Sequence, residues 1–215
     1  MRFPVISMLG KHYPRTAKVI YYYIRMTARL KSMRKDYIAL LRGINVGGNT
    51  PMKMDKLRDC LTTAGFANVR TYIASGNVLL SSELPRDAVE STIATALKTA
   101  FAYEAPVVTL SREQFLQVCD EVPVGFGTKP KIYHSDVIFI KPPLTVAGVK
   151  PHVSVRGGVD TASYGTHAVY FTRVSAERTK SHLGKIIGSP VYGHLTIRSW
   201  QTVNKLRALL ETEQS

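Results

Sequence analysis

The sequence predicts an α+β fold of two ferredoxin-like-related α/β sandwich subdomains. Three observations carry this. The first half alternates in the order βαββαβ, the split βαβ arrangement of ferredoxin-like folds. A second, less regular round of strands and helices follows. The 215 residues are 45% hydrophobic and 20% charged, which suits a globular chain with a real core.

Tyr37–Arg42 is the first strand, bounded by Gly43. Met54–Ala64 places Leu57, Cys60, Leu61 and Ala64 at helical spacing, and Gly65 stops the run. Val69–Ala74 and Asn77–Ser82 read as a hairpin around Ser75-Gly76. Pro85 opens a helix to about Ala102, with Val89, Ile93, Ala96, Leu97 and Ala100 on one face. Pro106–Leu110 is the fourth strand.

Ser111 then reads as the N-cap of a helix carrying Phe115, Leu116, Val118 and Cys119. A Pro- and Gly-rich loop covers Pro123–Pro130. Asp136–Lys141 is a strongly apolar strand. Val153–Val155, Thr161–Tyr164 and Ala168–Thr172 are shorter strand candidates, and Glu177–Ile187 reads as a helix. His194–Arg198 is extended. Ser199 caps a closing helix with Trp200, Val203, Leu206 and Leu210 on one face. These elements divide the chain into a basic extension at 1–35, a first subdomain at 36–110 and a second at 111–215.

The net charge is +14, and most of it lies at the start. Residues 1–36 hold nine Lys/Arg and one acid, leaving twenty basic and fourteen acidic residues for the rest. The body is therefore only mildly basic, which weakens a nucleic-acid reading without removing it. The extension reads as a start misassigned upstream of Met33 or a poorly ordered tail, with a transit peptide or membrane-surface helix as the alternative. No run approaches the roughly 20 apolar residues of a membrane span. Two cysteines, Cys60 and Cys119, without a CxxC pair, point to a reducing, cytoplasmic setting.

The glycine-rich loop after the first strand is where converging backbone N–H groups can hold an anion. Gly43 to Thr50 fits G-x-x-x-x-G-x-T, a P-loop whose phosphate-reaching lysine is missing. That absence and the βαββαβ order argue against a P-loop nucleotidase. The six histidines show no metal-ligand spacing, and no nucleophile elbow exists. No cofactor, metal or catalytic residue is assigned.

The motifs LLRGINVGG (40–48), VRTYIASGNVLL (69–80) and IRSWQTVNKL (197–206) together resemble the bacterial family known as domain of unknown function 1697. The resemblance implies two ferredoxin-like-related subdomains and no activity. Asn49 stands where relatives often carry lysine, and Ser199 and Gln201 stand where they often carry asparagine.

The candidate ligand-binding residues are Arg42, Gly43, Asn45, Gly47, Gly48, Lys53, Arg70, Tyr72, Ser75, Asn77, Arg198 and Trp200. The first reading is binding of a phosphate-bearing ligand, a nucleotide or nucleic acid, at the loop or in a cleft between lobes. Arg198 would grip the phosphate in bidentate fashion, and Trp200 would stack on a base. An RNP-type aromatic signature is missing, which argues against an ordinary RRM. The second reading is a small enzyme on an anionic metabolite, oriented by Arg42 and Arg198 and assisted by Ser75 or Tyr72. The third is a structural or protein-interaction module without ligand. The oligomeric state is not legible.

Overall fold

A computed structural model describes residues 34–45 and 52–212. Strand β1 (Lys35–Leu41) is followed by α1 (Met54–Thr63), β2 (Ala67–Tyr72), β3 (Asn77–Ser82), α2 (Arg86–Phe101) and β4 (Val107–Ser111). These strands form one antiparallel sheet in the order β2-β3-β1-β4. That is the order split βαβ units produce, because each helix carries the chain over the strand between its own two.

The second half contains α3 (Arg112–Asp120), β5 (Tyr133–Ile140), the short α4 (Val146–Val149), β6 (Asp160–Tyr164), β7 (Ala168–Val174), β8 (Leu195–Ser199) and α5 (Trp200–Glu211). Its sheet runs β6-β7-β5-β8. Counted from the first strand of each half, this is the same order. The two halves thus repeat one topology with no visible repeat in sequence.

Strand alternation assigns the faces. On β1, Tyr37, Ala39 and Leu41 pack outward under α1 and α2, with Leu57, Leu61, Val89, Ile93 and Leu97. Ile38 and Leu40 point the other way, into a central core. On β5, Val137 and Phe139 join that same core, while Ile138 and Ile140 face a third cluster with Val149, Leu183 and Ile186. Helices α3 and α5 fill the space between the sheets through Phe115, Val118, Val203, Leu206 and Leu210. Both central strands are buried on two faces, which explains their continuous apolar runs. Truncating a side chain such as Phe139 to alanine would cost on the order of 3–5 kcal/mol.

Ser111 caps α3 as expected, with Gln114 completing a capping box. Ser199 accepts from the Thr202 amide at the start of α5. Two expectations are corrected. Val153–Val155 is not a strand. Glu177–Ile187 is not an α-helix but two 3-10 runs, Ser175–Lys180 and His182–Gly188. Ser181 is extended between them and takes the Leu183 amide on its hydroxyl. Serine competes for the backbone in this way, and Gly184 and Gly188 add little helical preference. No helix among the described residues is long and apolar enough to cross a membrane.

Candidate functional site

Arg198 lies on β8 and is buried. Its Nε donates to Asn77 Oδ1 at 2.6 Å. Its Nη1 donates to Thr196 Oγ1 at 2.8 Å and to the Ile197 carbonyl at 2.9 Å. Its Nη2 donates to the carbonyls of Leu41, Ser75 and Gly76. The five N–H groups are spent on neutral protein acceptors. No carboxylate among the described residues pairs with the guanidinium, and burial pulls it down to about 10, so it remains charged at neutral pH.

Asn77 completes this node. Its Nδ2 donates to the Tyr72 carbonyl and to Ser75 Oγ, which shapes the hairpin turn. Gly76 has φ +79°, and a Cβ there would sit 2.7 Å from Leu41 Cβ. Only glycine satisfies both conditions. The three sequence motifs therefore meet in space: Leu41 from the first, Ser75 to Asn77 from the second, Arg198 from the third.

Arg42 works in the opposite direction. Its Nη1 donates to the carbonyl of Tyr192, and its guanidinium lies 4.5 Å from the centre of that ring. Tyr103 binds both backbone groups of Arg42, receiving from its N–H at 2.8 Å and donating to its carbonyl at 2.7 Å. Burial raises the Tyr103 phenol, with Arg42 and Arg198 pulling the other way. Sequence reasoning missed Tyr103, because nothing local marks a tyrosine as a partner for a distant backbone.

Asn45 adopts φ +54°. Its Nδ2 donates to the carbonyls of Met52 and Ala74, and its Oδ1 receives the Met52 amide, all within 2.9 Å. It closes the stem of the glycine-rich loop. Gly43 has φ +73°. Gly47 and Gly48 lie outside the described residues, as do residues 1–33 of the basic extension; its last residue, Lys35, opens β1. Lys53 is exposed at the start of α1. Arg70 donates through Nη2 to the Leu209 carbonyl at 3.2 Å, near the end of α5 where a cation is favoured. Tyr72 packs against the central core.

Trp200 stands apart from that node. It packs edge-on against Phe126, and Gly127 sits so close to the indole that a Cβ would come within 2.0 Å of Cδ1. Beside it is a pocket of about 70 Å³. Ser199, Trp200 and Gln201, the first turn of α5, form one wall, and Tyr133, His134 and Ser135 of β5 form another. Ser199 takes the Thr202 amide. The amides of Trp200 and Gln201 precede any intrahelical acceptor. Ser135 shares its strand face with Val137 and Phe139, the face α5 covers. It is only 7% exposed, and its Oγ has no hydrogen-bond partner.

On the opposite face of β5, Asp136 pairs with Arg173 at 2.8 Å and His134 at 3.2 Å. Burial raises the Asp136 carboxyl, opposed by Arg173 and His134. Asp160 binds the amides of Arg156 and His182, and Ser154 Oγ lies 3.0 Å from His182 Nδ1. That Ser–His contact borders Ile138, Phe171 and Leu183. No group of three or more metal-ligating side chains forms among the described residues.

The profile of the DUF1697 family, described as a protein of unknown function, matches residues 34–170. The chain belongs to this family. The match covers the first two motifs; the third, at 197–206, lies beyond it and is joined to them through Arg198. Among solved structures, the family member's chain is similar to the conserved bacterial protein SP0830 from Streptococcus pneumoniae, with 26% identity and a TM-score of 0.73. The likeness covers 82% of this chain and 99% of that one. No curated protein matches. The family description names no ligand and no reaction.

Proposed function

We propose that the protein binds a small phosphate-bearing ligand in the pocket at the start of α5. The observation that carries this is Ser135: a buried hydroxyl with no partner, lining a cavity whose other wall is the first turn of a twelve-residue helix. A helix N-terminus offers aligned N–H groups and a partial positive charge. A buried hydroxyl left unpaired costs about 1–3 kcal/mol, so a ligand oxygen there recovers what the fold alone forfeits. Lys129 and Lys131 are exposed on the adjoining loop and add to the local positive field.

The Arg42–Arg198 node is less suited to the role, since its donors already serve protein carbonyls. Titration of the protein with inorganic phosphate tests the proposal, read through the fluorescence of Trp200, the single tryptophan. A saturable change that is lost in Ser135→Ala supports it. No change up to tens of millimolar phosphate, with the fold intact, removes it.

A further inference from the structure

We infer, resting on the phosphate-binding reading above, that the ligand is a phosphomonoester carrying a planar ring, with a nucleoside 5′-monophosphate as the simplest member. The first observation is size. A cavity of about 70 Å³ is far below the roughly 300–1,000 Å³ of a pocket that encloses a whole metabolite. It takes an oxyanion head and leaves the rest of the ligand on the rim.

The second observation is what that rim is made of. Tyr133, Trp200 and Pro130 are among the residues that line the pocket. Tyr133 is 41% exposed, and the neighbouring Ile132 is 52% exposed. Flat apolar side chains bordering a polar floor suit a ring that stacks while its phosphate is held below. Base stacking on an aromatic side chain is tolerant of base identity because every base has a π-face. The class is therefore set by phosphate plus ring, not by one base. The aromatic groups belong to β5 and to α5, two elements locked by the central core, so the platform is preformed rather than assembled on binding.

The third observation is charge. Asp136, the carboxylate nearest in sequence, is turned to the other face of β5 and held by Arg173 and His134. It leaves the floor of the pocket without an opposing free carboxylate from its own strand.

Isothermal titration of the full chain with inorganic phosphate, ribose 5-phosphate, adenosine and adenosine 5′-monophosphate tests this. The expected result is that the nucleotide binds about tenfold more tightly than ribose 5-phosphate, and that Tyr133→Ala removes this increment, so that the two ligands bind the variant equally. Equal affinity for the nucleotide and ribose 5-phosphate would overturn the ring inference and leave the phosphate reading standing. Absence of binding by all four, with the protein folded by circular dichroism, would overturn both. Adenosine binding as tightly as its monophosphate would overturn the phosphate reading itself.

Discussion

Arg198 Nε donates to Asn77 Oδ1 at 2.6 Å, a bond between the last strand of one sheet and the hairpin of the other. Asn77 has no exposed surface and Arg198 only 8%. Removing the guanidinium would leave Asn77 Oδ1 and the Leu41 and Gly76 carbonyls without these donors. Arg198→Met is expected to lower stability by about 1–3 kcal/mol, the cost of leaving buried acceptors unsatisfied. Urea denaturation checks this. A double-mutant cycle with Asn77→Ala should show clear non-additivity, since the two residues share one network.

Gly76→Ala is expected to be costly at a site no larger than a methyl group. The new Cβ would sit 2.7 Å from Leu41 Cβ and 2.9 Å from Ile44 Cδ1, on a residue with φ +79°. Left-handed strain and overpacking together predict a loss of about 2–4 kcal/mol. Thermal unfolding measures it. A loss below about 0.5 kcal/mol would mean the turn relaxes freely.

Ser135→Ala should behave in the opposite way. Its hydroxyl makes no hydrogen bond within the fold, so its removal is expected to leave stability unchanged or raise it by about 1 kcal/mol. The same variant should lose phosphate affinity by fivefold or more. A variant that is strongly destabilised would show that the hydroxyl has a structural partner.

Cys119 is buried on the face of α3 that joins the central core, and burial pushes its thiol up to about 12. It should resist thiol reagents in the native state and react only on unfolding. The folded pKa lies above the unfolded one, so the native state holds its proton more tightly. Its contribution is complete below the unfolded value of about 9 and declines as pH rises from there towards 12. Comparing alkaline stability curves for the wild type and Cys119→Ala should show a shallower decline in the variant.

Much of the first half was legible in advance. The spacing of Leu57 and Leu61, the capping serine at 111 and the hairpin at Ser75-Gly76 are signals read within a few residues, as is the cap at Ser199 in the second half. The second half was harder. Its crossovers are a four-residue helix and short 3-10 runs, too short to show a 3.6-residue period, so the repeat of β2-β3-β1-β4 as β6-β7-β5-β8 left only an irregular pattern. The reading of residues 177–187 as a helix failed there, because Ser181 and Gly184 interrupt a run whose apolar spacing alone looks helical.

By itself the sequence determined the family, the α+β class and the positions of the long helices. Those features depend on local propensity, capping and short-range periodicity, which every window of the chain displays. Only the tertiary structure decided what the motif residues do. Arg198 reads as a phosphate ligand from its chemistry, and its actual acceptors are carbonyls, a threonine hydroxyl and an amide oxygen, up to 157 residues away. The pocket at Trp200 was hidden for the same reason, since its walls come from β5 and α5, which only the packing of the sheet brings together. A polar side chain's role depends on which acceptors the fold has already supplied, and that is a property of distance in space.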